Sequence, residues 1–176
     1  MSPTQRELYS KYNDVVIVDS TYNTNRFQMI LCIITVVDNN YRTRIVACAI
    51  IEDKTMDTYK WIFDSILKET DISSRTIFSD SDPSLIRSIK DIYPNTHHLL
   101  CIFHIDLNLR KKLKGKLGNQ FEEFRHKFYV CRNSLCEELF ELRWNQLIEQ
   151  FPVAAKYLSD TLYCTKDSWA VPWIRK

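Results

Sequence analysis

Glycine is scarce in this chain. Gly115 and Gly118 are the two glycines among its 176 residues. A Gly-rich phosphate-binding loop needs several glycines close together, because the backbone has to approach the phosphates closely. The sequence therefore excludes the nucleotide-binding folds that depend on such a loop.

The chain also lacks C-x-x-C pairs and long apolar runs. None of its six cysteines forms a C-x-x-C pair, so we expect no zinc ribbon. No apolar run approaches the roughly 20 residues that a membrane helix needs, and the first residues, MSPTQRELYSKYND, are polar. We therefore expect no membrane segment. We expect the cysteines to be free thiols in a reducing compartment, with Cys32 and Cys48 buried as small apolar residues.

The composition that is present is that of an ordinary globular protein. Hydrophobic residues make up 45% of the chain and charged residues 26%, and the formal net charge is +2. This length suits one domain, or one domain and part of a second. Because the net charge is close to zero, any attraction to nucleic acid has to come from local basic patches.

Hydrophobic periodicity predicts strands and helices that alternate in the first two thirds of the chain. The predicted strands cover residues 15–18, 29–37, 44–51, 76–78 and 98–103. The Asp38-Asn39-Asn40 turn predicts that the second and third strands form a hairpin. A helix follows each of the last three strands; Thr55 caps the first of these helices, and Asp82-Pro83 opens the second. From Gln120 onward the pattern is helical only.

The predicted order is therefore β-β-β-α-β-α-β-α, followed by helices. We predict an α/β fold with an RNase H-like core over residues 1–117 and an α-helical insertion segment over residues 118–176. In an RNase H-like core, an acid on the first strand lies beside an acid at the end of the fourth. Asp19 and Asp80 occupy these two places. Two such carboxylates can hold Mg²⁺ for phosphodiester chemistry, whereas the plainer alternative is a turn or cap role for each.

Four segments of the sequence carry a more specific signal. They are DSTYNTNRF at residues 19–27, DTYKW at 57–61, FSDSDPSLIRSI at 78–89 and IYPNTHHLLCIFHIDLNLRKKL at 92–113. In this order and spacing they resemble the transposases of Mutator-like elements (MULE) and the related far-red-impaired-response plant regulators. The resemblance runs from about residue 14 to the end of the chain.

The resemblance implies roles for four residues. Asp19 and Asp80 match the first two catalytic acids of a DDE transposase, which bind Mg²⁺ or Mn²⁺. Cys101 and His104 match the family's C-x-x-H signature and are expected to frame the active site. The alternative for this second pair is a core cysteine and a histidine at the start of a helix.

The family's third acid is a glutamate, and the resemblance places it beyond Lys176. The core is therefore expected to be C-terminally incomplete, as in a truncated or remnant transposase. Glu141 is a less favoured substitute, because the resemblance places it in the helical insertion. The segment SWAVPW at residues 168–173 resembles the family sequence just before that glutamate.

The resemblance further implies DNA as the partner, both transposon ends and target DNA, and the nucleus as the location; it leaves an oligomer open. Five basic residues can neutralise DNA phosphates, and a solvated helix face explains them equally well: Arg110, Lys111, Lys112, Lys114 and Lys116. The functions to weigh are a transposase for cut-and-paste transposition, a domesticated DNA- or protein-binding transcriptional regulator without catalysis, and a metal-dependent nuclease.

Overall fold

Strands with alternating buried and exposed side chains form a five-stranded mixed sheet in the first part of the chain. The computed structural model describes residues 1–21 and 26–175, and the chain divides into two compact units, Met1–Leu100 and Cys101–Lys176. The predicted α/β class is confirmed. The predicted domain division after residue 117 stays a prediction.

The described residues of the first unit, 1–21 and 26–100, form five strands and three helices. In chain order they are α1 (Pro3–Tyr12), β1 (Val15–Thr21), β2 (Ile30–Val37), β3 (Thr43–Ile51), α2 (Met56–Thr70), β4 (Thr76–Ser79), α3 (Pro83–Ile92) and β5 (His97–Leu100). The strands lie in the order β3-β2-β1-β4-β5. β1 pairs antiparallel with β2 and β2 with β3, while β4 runs parallel to both β1 and β5.

The predicted hairpin between β2 and β3 is confirmed, and Asp38 organises its turn. The Asp38 carboxylate accepts hydrogen bonds from the backbone N–H groups of Asn40 and Arg42, each at 2.9 Å. It also accepts one from the Arg44 side chain at 2.8 Å. Tyr41 has a positive φ of 59°, a conformation that closes the turn tightly.

One face of the sheet carries the hydrophobic core of the first unit. Val16 and Val18 of β1 are buried against Tyr59 and Phe63 of α2 and Leu85 of α3 in one cluster. The helix predicted after the third strand is therefore confirmed as α2. The predicted caps are confirmed as well: Thr55 accepts from the N–H of Thr58, and Asp82 accepts from the first turn of α3.

Helix α1 was not predicted, although the sequence carries its start signal. Ser2 and Gln5 form a capping box, in which each side chain accepts a hydrogen bond from the other residue's backbone N–H, at 3.2 and 2.8 Å. Pro3 occupies the first helical position, where a missing N–H costs nothing. Tyr9 buries this otherwise polar helix against the core.

The described residues of the second unit form helices joined by short turns. Its α-helices are α4 (Ile102–Leu117), α5 (Phe121–Arg132), α6 (Glu137–Gln150), α7 (Pro152–Tyr157) and α8 (Val171–Ile174). Its core is aromatic: Phe128 stacks on Trp169 with ring centroids 5.3 Å apart, and Phe140 stacks on Trp144 at 5.5 Å. Trp144 and Trp169 are both buried in this core.

Two details of the prediction are wrong. The fifth strand ends at Leu100 rather than at Phe103, because helix α4 begins at Ile102. Cys48 is exposed rather than buried, because β3 is an edge strand with an irregularity in its register opposite Ile34 and Thr35. Beyond that irregularity Val46 and Ala47 are both buried, and Cys48 falls outside the core. Among the described residues, no helix is both long enough and apolar enough to cross a bilayer.

Candidate active site

The pairing of β1 with β4 brings the two predicted acids to the same end of the sheet. In this parallel pair, Val16 lies opposite Ile77 and Ile17 lies opposite Phe78. The ladder ends at this last pair; continued by two residues, the same register would set Asp19 opposite Asp80. Neighbouring strands are about 4.8 Å apart, so the register predicts two carboxylates within reach of one cation.

Strand alternation also predicts which face the two acids occupy. Val16 and Val18 of β1 are buried in the core, and Ile77 and Ser79 are their buried counterparts on β4. Side chains one position further on point to the opposite face. Asp19 and Asp80 fall at those positions, and both are half-buried. The acids are therefore expected on the sheet face that α1, α2 and α3 do not cover.

The turn after β4 holds Asp80 and Asp82 in different ways. Oδ1 of Asp80 accepts a hydrogen bond from the backbone N–H of Asp82 at 3.1 Å. Oδ1 of Asp82 accepts from the N–H groups of Ser84 and Leu85 at 2.8 and 3.1 Å. Asp82 is therefore the cap of α3, as predicted, whereas Asp80 is held at the tip of the strand.

Polar side chains on the core face support both strand ends. Ser79 Oγ donates to the backbone oxygen of Asp80 at 2.8 Å and lies 2.7 Å from Nε2 of His98. Tyr59 of α2 has its hydroxyl 3.4 Å from the Ser20 hydroxyl, next to Asp19 in the chain. Burial raises the pKa of Tyr59, and the carboxylates of Asp82 and Asp80 raise it further. Tyr59 therefore stays a neutral hydrogen-bonding group.

His98 is also kept neutral by its surroundings. Burial lowers its pKa, and the neighbouring His97 lowers it further, while Asp80 acts in the opposite direction. Because the ring lies on β5 beside Ile77 of β4, it reaches Ser79 along the core face. Ser79 and His98 were not among the predicted site residues, since their contact depends on the pairing of two strands.

The donor set at the strand ends fits a hard divalent cation. Carboxylate oxygens are the ligands that Mg²⁺ prefers, and it is often held by one or two carboxylates together with substrate phosphates and water. Within residues 1–21 and 26–175, no three His, Cys, Asp or Glu side chains form a group that could hold a metal ion. Asp19 and Asp80 would supply two carboxylates to such an ion.

Cys101 and His104 lie in the second unit, at the start of α4. Cys101 occupies the N-cap position of this helix and His104 is in its first turn. A hydrogen bond with the His104 side chain lowers the pKa of the Cys101 thiol, in opposition to burial, and the backbone N–H groups of His104 and Phe103 lower it further. The two residues therefore form an interacting pair.

The five predicted DNA-binding residues differ in their surroundings. Arg110 donates from Nε to Asp106 at 3.0 Å, which commits it to a contact within the second unit. Lys111, Lys112, Lys114 and Lys116 are exposed on α4. The lysines are therefore available to a polyanion, whereas the side chain of Arg110 is already paired with Asp106.

Glu141, the substitute considered for a third acid, has partners of its own in the second unit. Its Oε2 accepts from the Tyr163 hydroxyl at 2.8 Å, and its Oε1 pairs with Lys166 at 2.5 Å. Both oxygens are thus used to connect α6 to the segment before α8. Tyr22, Thr24 and Asn25, part of the first family-like segment, lie outside the described residues.

A comparison with family models identifies the chain. The model of the MULE transposase domain matches residues 15–108, which is more than half of the chain and includes both strand-end acids. The chain belongs to the MULE transposase domain family. The resemblance read from the four sequence segments is therefore confirmed.

Curated relatives of this MULE domain come from Arabidopsis thaliana. FAR1-RELATED SEQUENCE 10 is 28% identical over 96% of the chain and 25% of its own length. FAR-RED IMPAIRED RESPONSE 1 is 26% identical over 83% of the chain and 18% of its own length. FAR1-RELATED SEQUENCE 6 is 25% identical over 94% of the chain and 24% of its own length. The chain thus spans a quarter or less of the length of these relatives.

Proposed function

We propose that the first unit is the RNase H-like core of a MULE-type DDE transposase, which cleaves and joins DNA strands with Mg²⁺ or Mn²⁺. The observation that carries the proposal is the parallel register of β1 and β4, which predicts Asp19 beside Asp80. The strand order β3-β2-β1-β4-β5, with three antiparallel strands followed by parallel ones, also supports it.

In this proposal Asp19 and Asp80 would hold the metal ion between their carboxylates. A divalent ion at such a site activates an oxygen nucleophile and stabilises the leaving oxygen of a phosphodiester. The protein contributes two negative charges on adjacent strands, and the turn after β4 fixes one of them. Tyr59 and Ser79 hold the strand ends from the core side, so that the carboxylates do not have to be ordered when the metal binds.

Metal binding tests this proposal directly. We expect titration calorimetry with Mn²⁺ to detect one site in the wild-type chain, and Asp19→Asn and Asp80→Asn each to weaken it by at least about tenfold, since each removes one anionic ligand. Asp14→Asn is the matched control. Asp14 lies before β1 and pairs with Arg75 before β4 at 3.6 Å, so the control makes the same chemical change at the other end of the same strands.

Three results would contradict the metal site. They are no Mn²⁺ binding by the wild-type chain, binding that survives both strand-end substitutions, and equal weakening by Asp14→Asn. If the site is present, incubation of labelled duplex DNA with Mn²⁺ then measures strand cleavage. Cleavage that Asp80→Asn abolishes would support a catalytic core.

The second candidate is a domesticated regulator in the nucleus that binds DNA or protein without catalysis. The observation that favours it is the set of relatives, which carry the names FAR-RED IMPAIRED RESPONSE 1 and FAR1-RELATED SEQUENCE. A regulator needs the fold and a binding surface, and it does not need the carboxylates. The exposed lysines of α4 are the part of the chain that suits DNA phosphates.

DNA binding by the double variant Asp19→Ala/Asp80→Ala separates the two candidates. A regulator keeps its affinity, and the logarithm of its binding constant falls linearly with the logarithm of the salt concentration. Replacing Lys111 and Lys114 with alanine should reduce that slope by about two. Lys156→Ala is the control, because Lys156 is an exposed lysine that pairs with Asp160 on its own helical segment at 2.8 Å. Loss of DNA binding in the double variant would remove the regulator.

A further inference from the structure

Asp80 leaves the sheet at the point where its ladder of hydrogen bonds ends. The last pair between β4 and β5 is Ser79 with Leu100, and the last pair between β1 and β4 is Ile17 with Phe78. A strand neighbour therefore orients the backbone up to Ser79. For a metal ligand one residue later, some other contact has to set the direction of the backbone.

Ser79 provides that contact with its side chain. Its Oγ donates to the carbonyl oxygen of Asp80 at 2.8 Å, and the residue is completely buried. A hydroxyl has one hydrogen to donate. We infer that this hydrogen goes to the Asp80 carbonyl; the 2.7 Å contact with His98 is then made by a hydrogen on Nε2, which His98 donates to Ser79 Oγ.

The three residues thus form a directed chain from β5 to the end of β4. His98 Nε2–H donates to Ser79 Oγ, and Ser79 Oγ–H donates to the Asp80 carbonyl. At its far side, Asp80 is held by the N–H of Asp82 on Oδ1. The backbone and one carboxylate oxygen of Asp80 are fixed together, which leaves Oδ2 as the oxygen to share with a cation.

We propose that His98, acting through Ser79, is a positioning residue that aims the Asp80 carboxylate at the cation site beside Asp19. This inference rests on the proposed metal site and adds the residues that orient one of its ligands, Asp80. Removal of a group that hydrogen-bonds to a metal ligand and orients it commonly lowers the metal affinity about tenfold or more.

The experiment compares Mn²⁺ affinity across a small set of variants. We expect His98→Ala and Ser79→Ala each to weaken binding about tenfold, and the double variant to be no weaker than either, because both remove the same chain of contacts. His98→Gln should retain affinity within about twofold, since the glutamine amide presents a hydrogen-bond donor where Nε2–H was. His97→Ala is the matched control, because His97 is the exposed neighbour on the same strand.

Two further measurements separate positioning from general stability. Thermal unfolding of each variant without metal measures its stability. If His98 positions Asp80, His98→Ala should bind Mn²⁺ more weakly than His98→Gln even at temperatures where both variants are fully folded. Imidazole ¹⁵N shifts of the wild-type protein report the tautomer. We expect Nε2 to be protonated, and a ring protonated on Nδ1 alone would overturn the proposal whether or not the variants fold.

The outcomes distinguish this inference from the proposed function. If the wild-type chain fails to bind Mn²⁺, the metal site and the positioning role are both wrong. If it binds, and His98→Ala and Ser79→Ala bind equally well, the metal site stands and the positioning role is wrong. Weakening by His97→Ala as large as that by His98→Ala would likewise overturn the role assigned to His98.

Discussion

The buried carboxylate of Asp106 in the second unit is neutralised by cations. Asp106 on α4 is 7% exposed, and it accepts from Arg110 on its own helix at 3.0 Å and from Arg125 on α5 at 2.5 Å. Burial alone would raise the pKa of Asp106, but the hydrogen bonds from Arg125 and Arg110 lower it below its usual range. This carboxylate joins two helices.

The carboxylates at the strand ends of the first unit are held in another way. Asp80 and Asp82 accept their hydrogen bonds from backbone N–H groups of the turn and of α3. A neutral N–H orients a carboxylate but leaves its negative charge in place, whereas a guanidinium cancels it. Asp106 is therefore neutralised inside the fold, whereas the charge of Asp80 is left for an external cation; Asp82 has the same kind of partner as Asp80 but is used as the cap of α3.

The strongest test of this comparison is the removal of the Asp106 charge. Asp106→Asn should destabilise the second unit by about 2 kcal/mol, because hydrogen bonds between charged groups contribute that order of magnitude and the two partially exposed arginines regain only part of their hydration. Urea unfolding at neutral pH measures the loss. Glu149→Gln, an exposed acid on α6, is the control and should change stability by less than about 0.5 kcal/mol.

The pH dependence sharpens this prediction. Because the pKa of Asp106 is lowered in the folded state, its contribution is fully present above the unfolded-state pKa of about 3.9. It is lost as the pH falls through the folded-state pKa. The difference between wild type and Asp106→Asn should therefore shrink as the pH falls below about 4. A difference that stays constant down to pH 2 would show that the arginines do not act through the charge of Asp106.

The next largest effect is expected for the Asp82 cap of α3. Asp82→Ala should cost about 1 kcal/mol, the usual loss for a helix without its N-cap side chain, because the N–H groups of Ser84 and Leu85 lose their acceptor. Asp82→Asn keeps an acceptor oxygen and should recover most of that loss. Unfolding curves measure both. Equal losses for alanine and asparagine would mean that the cap acts through charge alone.

The sequence carried the features of the site that depend on local pattern. Short apolar runs predicted the five strands, and the position of Asp19 and Asp80 after such runs indicated the candidate acids. The cap at Asp82 could be read from Asp-Pro alone. These features are recoverable because each depends on residues that are close together in the chain.

The features that were missed depend on contacts between distant elements. His98 meets Ser79 only because β4 and β5 pair in parallel, and nothing in the local sequence distinguishes it from His97. The sequence around Asp106 is that of an ordinary polar helix position, and its contact with Arg125 depends on the packing of α4 against α5. Cys48 was expected in the core because its strand is apolar throughout, and the irregular register of an edge strand is not written in that pattern.

The smallest expected effect is also the one that separates the two kinds of acid most clearly. If Asp19 and Asp80 lie side by side, their like charges repel in the metal-free protein. Asp80→Asn should then leave stability unchanged or raise it by about 0.5 kcal/mol, while it weakens Mn²⁺ binding. Such a trade-off is common at functional sites that hold unfavourable charges together. Unfolding at low and high salt measures this difference, which should shrink as salt screens the repulsion. A loss of 1 kcal/mol or more, comparable to that of Asp82→Ala, would instead mean that Asp80 is a structural turn residue like its neighbour.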